Sequence, residues 1–425
     1  MKEDLLYFIW KNLSFNLNGL YTTEGDRIEV INPGEFNINS GPDFFNSKIK
    51  VGDTVWAGNV EMHINSSDWL THNHNGNVAY DSIILHVVVN DDKPIQNSKG
   101  NKIPTLVIKY PDMLEWNLQH LTSSGKWIPC EELFPSFDTF SVRMWLDNLM
   151  VERLEQKTAL VFDLVNNAEG SWEEAFYQSV ARSFGLKTNA LPFELLAKST
   201  PLKVLGKHKD KLFQLEAILF GQSGLLDNLT NPDSYSLALL KEYKYLQHKF
   251  NLTPIEGHLW KFLRMRPTAF PTIRIAQFAM LIHKSTSLFS KIIEVEDIKE
   301  IIKLFQVNTS EYWETHFTFG KESKSSMKRI GADTISIITI NTLVPFIFAY
   351  GISKSQNNLK EKAIKLIETI KPENNSIVSG FSGLGVKVES AHDTQALIQL
   401  KSSYCDSKKC LYCHLGARHL LRNFN

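Results

Sequence analysis

The sequence predicts an α+β fold, a mixed-sheet N-terminal domain followed by a mainly α-helical C-terminal region. Residues 1–115 carry short β-branched and aromatic runs, several with period-two alternation, broken by Gly, Pro and Asn. After about residue 112 the apolar residues recur at helical spacing instead. The 425 residues exceed one ordinary domain, and 43% hydrophobic with 11% aromatic content suits large packed cores.

Each element has its own signal. Residues 4–13 set Leu5, Leu6, Phe8, Ile9 and Leu13 on one helical face. Residues 27–31 form a short strand ended by Asn-Pro-Gly. Phe44–Val51 and Thr54–Asn65 are strands joined by Gly52-Asp53, a hairpin turn signal. Residues 67–72 suit a short helical turn. Residues 80–90, YDSIILHVVVN, form a nearly continuous apolar run, as expected of a central strand buried on both faces. Residues 102–110 are a further strand. Helices are predicted over 144–165, 171–184, 193–197, 211–220, 236–250, 274–283, 298–305 and 359–370, with breakers at 189–192 and 231–232. The expected division is 1–115, then a helical domain over 116–400, then a cysteine-bearing tail over 401–425 packed on the rest.

The balanced charge, 46 basic against 46 acidic residues, hides an asymmetry. Residues 1–120 hold 9 Lys/Arg and 15 Asp/Glu, about −6, so the remainder carries about +6. A bound polyanion would find its footing on the C-terminal part. Residues 334–351 are uncharged but hold Thr, Ser, Asn and Pro, which suits a buried core helix and not a membrane span. The acidic start and four cysteines without a disulfide framework lead us to expect a cytoplasmic protein. Oligomeric state is not legible.

The chemistry concentrates between residues 39 and 86. On a strand, Glu61 and His63 share one face while Val60, Met62 and Ile64 take the other. Asp43 opens the neighbouring strand. Two carboxylates from adjacent strands supply hard oxygen ligands for Mg²⁺ or Mn²⁺, and a metal lowers the pKa of an attacking water. A polar group beside them, here His63, would assist the nucleophile or ligate a softer metal. Asp43, Glu61 and His63 are therefore the candidate catalytic residues, with Asp43, Glu61 and His74 as metal ligands. Asp68, His72 and His86 would add further ligands or a proton shuttle. The bland reading of the run HNHNGN is a surface loop with solvated imidazoles, and of His86 a core histidine satisfied by a hydrogen bond. Glu3, Asp4 and Glu35 could add a further acidic ligand.

In the tail, Cys405, Cys410 and Cys413 form C-x4-C-x2-C, followed by His414 and His419. Close thiolates suit zinc or an iron–sulfur cluster, with Cys130 or a histidine as the fourth ligand. The bland reading is three reduced thiols packed in a helical tail. Arg264, Arg266 and Arg274 surround two prolines and could grip a phosphate backbone. The apolar spacing of Ile275, Phe278, Ala279 and Ile282 favours core packing there. Lys203, Lys207, Lys209 and Lys211 read as a solvated surface cluster.

The motifs GPDF (41–44), G-x-VE-x-H (58–63), SDW-x-x-H-x-H (67–74), LHVV (85–88), LFGQSGLL (219–226), RMRPTAFPTIR (264–274), INTLVPFIFAYG (340–351) and YC-x4-C-x2-C (404–413) carry a resemblance that spans essentially the whole chain. The chain resembles an uncharacterised bacterial family of the Bacteroidetes, a domain of unknown function. That resemblance implies no established activity. The order of helix, strand, Asp43, Glu61 on the next strand, then a further strand also resembles the core of PD-(D/E)xK nucleases, with His63 in the usual lysine position. These readings converge on a divalent-metal-dependent phosphodiesterase acting on nucleic acid. The alternatives are a catalytically inactive nucleic-acid or protein-binding module, and a metal-dependent hydrolase of a small substrate.

Overall fold

The computed structural model describes residues 3–422 apart from 228 and 286, with only the backbone described at 298. Residues 1–2 of the expected first domain and 423–425 of the expected tail lie outside the described residues. The fold is α+β, and its contacts form two compact units: residues 1–145 with 399–425, and residues 146–398. The expected boundary near 115 thus stands at 145 by contacts. The helix Asp112–Ser123 explains part of the shift, because Leu114 and Leu121 sit in the N-terminal core.

In the first unit, helix α1 (Glu3–Lys11) precedes strands β1 (Leu20–Tyr21), β2 (Arg27–Asn32), β3 (Glu35–Phe36), β4 (Phe44–Val51) and β5 (Thr54–Asn65). A one-turn helix, α2 (Asp68–Thr71), then leads to β6 (Ile83–Asn90), β7 (Thr105–Val107) and helix α3 (Asp112–Ser123). The strands form one mixed sheet in the order β1-β2-β4-β5-β6-β7, with β3 also on β4. Pairing is antiparallel from β1 to β5 and parallel from β5 to β7. Thr22, just past β1, bridges Leu106 of β7, and the Thr23 N–H donates to the Thr105 carbonyl at 2.9 Å, so the sheet nearly closes on itself.

The hairpin β4–β5 has the bounds its sequence pattern predicts. The run 80–90 is shorter as a strand. Asn77 caps a tight turn over Val78–Tyr80 by accepting the Ala79 N–H at 3.0 Å, which delays β6 to Ile83. The expected strand 102–110 shrinks to three residues, since Pro104 has no N–H to give a ladder. Gly58 is needed for the β5–β6 approach. A Cβ there would lie 2.4 Å from Ile84 Cγ2 and 2.8 Å from the Ser82 carbonyl.

Alternate residues of β5 and β6 divide the sheet. Val60, Met62, Leu85 and Val87 join a core with Leu5, Leu6, Ile9 and Trp10 of α1, Leu114 and Leu121 of α3, and Leu420 of the C-terminal helix His414–Leu421. Residues of the other phase, Glu61, His63 and His86, are equally buried but polar. A smaller core of Trp69, Tyr80, Ile83, Ile95 and Ile103 lies with them.

The second unit is helical, apart from a two-stranded ribbon (His316–Thr318 with Lys321–Glu322). Aromatic clusters fill its core: Trp172 stacks on Phe289 at 5.7 Å, and Phe220 on Trp313 at 5.1 Å. Helix Pro271–Lys284 begins with proline at its first position, where no donor is lost. Among the described residues one helix, Ala332–Ser353, is long and apolar enough to cross a bilayer, but 72% of its most apolar window is buried inside the protein. Its ladder widens to a π-turn over Thr339–Leu343, just before Pro345, which cannot supply an N–H.

Candidate metal centre

The period-two pattern places Glu61 and His63 together, and chain pairing brings Asp43 to them. The Asp43 N–H donates to Glu61 Oε2 at 3.1 Å, and the Met62 N–H donates to Asp43 Oδ2 at 2.9 Å. These reciprocal bonds tie the entry of β4 to β5. Among the described residues no Lys or Arg pairs with either carboxylate. Burial, then the charge of Glu61, pushes Asp43 up to about 7, and burial pushes Glu61 up to about 8. Tyr7 of α1 faces Asp43, and burial with that carboxylate's charge raises its hydroxyl well above the ordinary value. Glu3, at the start of α1, adds a repulsive charge to both carboxylates.

Histidines complete the cluster. His74 Nε2 lies 3.2 Å from Glu61 Oε1, and His63 Nε2 lies 3.9 Å from the same oxygen. His63 Nε2 is 3.1 Å from His72 Nδ1, and His63 Nδ1 is 2.9 Å from His86 Nε2. Ligand nitrogens of His63, His72 and His74 all lie within 4.8 Å of one another. The loop HNHNGN achieves this by a turn, not by an extended run. His72 closes α2, Asn73 takes a left-handed conformation (φ 59°), and His74 opens a 3₁₀ turn. His74 is 8% exposed and stacks on Tyr80 at 3.8 Å, so it is no solvated loop imidazole. His72 is exposed and marks the solvent side of the cluster. Trp69, fully buried and anchored by its indole N–H to the Gln96 carbonyl at 3.1 Å, packs edge-on to His74 and His86.

The environment selects neutral imidazoles. Burial, then repulsion from His86, pushes His63 down to about 2, and burial pushes His86 down to about 3. Neutral imidazole is the ligating form. For His63 Nε2 to offer its lone pair, Nδ1 must carry the proton and donate to His86 Nε2. His86 then keeps its proton on Nδ1, a buried atom with no hydrogen-bond partner. His86 is thus the group that orients His63, the usual relation of an outer residue to a ligating histidine.

Asp68, an alternative ligand from its position, instead accepts the Asn65 N–H at 3.0 Å and secures the end of β5. Asp4 pairs with the Tyr412 hydroxyl at 2.8 Å, and Glu35 is an exposed residue of the edge strand β3. Of the arginines, Arg274 is buried and bonds Gln277 at 3.1 Å and Thr334 at 3.0 Å, as its apolar neighbours imply. Arg264 and Arg266 are exposed.

The four cysteines, all unpaired, gather in the first unit. Cys405 ends a π-helical stretch, Leu400–Cys405, and Cys413 precedes helix His414–Leu421, accepting the Ala417 N–H through its carbonyl at 2.7 Å. Cys410 enters the core, and Cys130 packs against that core. Burial and mutual repulsion push Cys130 up to about 12 and Cys410 up to about 11. His414 and His419, the other candidate fourth ligands, lie on the helix after Cys413. His414 faces Trp145.

The family model described as a protein of unknown function (DUF2851) matches residues 3–376. The chain belongs to this family. The match covers all of the histidine–carboxylate cluster and Cys130 of this DUF2851 chain, and ends before the three tail cysteines. No curated protein and no solved structure matches the chain.

Proposed function

We propose that the first unit is a divalent-metal-dependent phosphodiesterase of nuclease-like type, acting on nucleic acid. The observation that carries this reading is the convergence of Glu61, His63, His72 and His74 with Asp43 at one buried polar cluster. The donors fit a metal. Bonds of about 2.0–2.1 Å set neighbouring ligand atoms about 3.0–3.3 Å apart around a six- or four-coordinate ion, so the 3.1 Å between His63 and His72 and the 3.2 Å between His74 and Glu61 suit one. Three imidazoles beside a carboxylate favour Mn²⁺, Fe²⁺ or Zn²⁺ over the Mg²⁺ that two carboxylates alone would suggest.

Glu61, His63, His72 and His74 would hold an ion of five or six ligands, since four protein ligands close a tetrahedral one; such an ion would supply a water of lowered pKa and polarise a phosphoryl oxygen. Asp43, held by the Met62 N–H and faced by Tyr7, would accept a proton on its carboxylate from the attacking water. Trp69 and Tyr80 exclude solvent behind the histidines. The strand order that resembles PD-(D/E)xK nucleases supports phosphodiesters as the bond type.

The charge of residues 1–120 favours a second reading, a hydrolase of a small substrate, because an acidic surface repels a polyanion. One experiment separates the two. Purified protein is loaded with Mn²⁺ or Zn²⁺ and offered single-stranded, double-stranded and branched DNA, RNA, and a small chromogenic phosphodiester. Nucleic-acid cleavage that chelator and Glu61→Gln both abolish supports the first reading. Cleavage of the small ester alone selects the second. Metal binding without any cleavage leaves a binding module, and failure to bind metal ends the reading altogether. His63→Lys sharpens the assignment: activity persists if His63 fills the lysine position of the nucleases, and collapses if His63 is a ligand, as proposed here.

A further inference from the structure

The cysteine cluster differs from the histidine cluster in its spacing. Among the described residues, the one trio of His, Cys, Asp or Glu ligand atoms lying wholly within 4.8 Å of one another is His63, His72 and His74. All four cysteines are described, and no three of their sulfurs meet that limit. They are nonetheless gathered, since Cys130 packs on the core that Cys410 enters, and each of Cys130, Cys405 and Cys410 feels the charge of Cys413. A single tetrahedral zinc with bonds of about 2.3 Å would draw its sulfurs to about 3.8 Å. A four-iron cluster binds each thiolate to a different iron, so its sulfurs surround a body and not a point.

We propose that Cys130, Cys405, Cys410 and Cys413 hold a [4Fe–4S] cluster that fastens the C-terminal segment to the N-terminal sheet unit. Assembly balances as four thiols plus one [4Fe–4S]²⁺ core giving a cluster of net charge −2 and four released protons. The surroundings suit that anion. The buried Trp145 indole N–H makes no hydrogen bond of ordinary geometry, yet it faces Cys413 and favours its thiolate, as do the N–H groups of Leu415 and Gly416. Hydrogen bonds to cluster sulfurs are a means by which proteins stabilise the reduced, more negative state. Lys401 favours the thiolate of Cys405, and Lys408 that of Cys410. Gly416 permits the tight winding of the tail: a Cβ there would meet the Cys410 carbonyl oxygen at 2.3 Å.

The fastening has a topological purpose. The first unit is assembled from two stretches of chain separated by the whole helical unit. A cluster shared between Cys130 and the tail closes that long loop, and cross-links over long loops restrict the unfolded chain most.

The test is the full-length protein purified without oxygen, assayed for iron, acid-labile sulfide and zinc, with its visible spectrum before and after dithionite. About four iron and about four sulfide per chain are expected, with a brown colour that dithionite bleaches. About one zinc per chain without sulfide overturns the proposal. So does the absence of iron and sulfide after anaerobic reconstitution with ferrous iron and sulfide. Cys130→Ser and Cys405→Ser, both at partly buried positions, should each lose most of the iron and make the tail, from about residue 399, sensitive to protease. Folded variants that keep the full iron and sulfide content overturn it too, and if neither variant folds, the wild-type iron-to-sulfide ratio decides.

Discussion

Neighbouring residues of β5 and β6 enter opposite environments. Val60, Met62, Leu85 and Val87 pack into the larger apolar core, while Glu61, His63 and His86 enter a cluster of carboxylates and ring nitrogens. Both faces are buried to a similar degree, with Met62 at 0% and His63 at 1% exposure. Their energetics are opposed. Apolar burial stabilises in proportion to area and needs no partner geometry. Buried carboxylates and imidazoles cost stability unless something satisfies them, and among the described residues no Lys or Arg pairs with the carboxylates and His86 Nδ1 has no hydrogen-bond partner. A sheet that spends stability on one face while gaining it on the other is organised around chemistry on the costly face.

The largest effect that can break this comparison is on stability. Met62→Ala should lower the free energy of unfolding by about 2–5 kcal/mol through lost burial and a cavity, and leave metal affinity of the folded protein unchanged. Glu61→Gln should leave the stability of metal-free protein equal or higher, because it removes a charge that burial disfavours. Denaturant unfolding of both variants checks this. The opposite ranking would mean that the polar face holds the fold.

His86→Phe sharpens the polar side. It keeps a buried ring but removes the acceptor for His63 Nδ1, so metal affinity measured by calorimetry should fall about 10–100-fold with the fold intact. Unchanged affinity would remove His86 from the site.

The pH dependence of metal-free protein should separate the two kinds of polar group. Asp43 and Glu61 are raised in the fold, so their contribution is present at low pH and is lost as pH rises through about 7 and about 8. His63 and His86 are lowered from the usual 6.5, so their contribution is complete above 6.5 and is lost as pH falls. Of these four groups only the carboxylates titrate between pH 6.5 and 8. In the second unit Glu216, raised to about 7, adds to the loss and Lys157, lowered to about 7, opposes it. The thermal midpoint should therefore drift down relative to that of the Asp43→Asn, Glu61→Gln double variant. Saturating Mn²⁺ or Zn²⁺ should reverse that drift, since a bound cation favours the ionised carboxylates. A midpoint that rises with pH relative to that double variant, in metal-free protein, would contradict the assigned environments.

The smallest effects belong to the helical unit, where the same contrast of buried and exposed polar groups recurs. Arg264→Ala and Arg266→Ala, both at exposed positions, should change stability by no more than about 0.5 kcal/mol. Arg274→Ala should cost more in the same unfolding experiment, because it strips the partners Gln277 and Thr334 in the interior.

Local periodicity made much of this molecule legible. Alternation over 54–65 placed Glu61 and His63 on one side and Val60 and Met62 on the other, and the Gly52-Asp53 turn set the hairpin bounds. Helical spacing marked α1 and helix Ile298–Phe305, and the Thr, Asn and Pro content of 334–351 pointed to a buried helix. These features depend on residues a few positions apart, and a linear pattern records them. The rest depended on where distant segments meet. The parallel register of β5 with β6 sets Glu61 opposite His86 and lets the His63 ring reach it, which no spacing within either strand encodes. The left-handed turn at Asn73 brings His74 inward and sets His72 on the solvent side of the same cluster, and the Asn65 amide takes Asp68 away from the site. Likewise, the sequence supplied three close cysteines, but only the packing of the tail onto the N-terminal core brought Cys130 to them. Side-chain phase along a strand is a local property of the backbone, whereas the partners a side chain meets are decided by the pairing of whole elements.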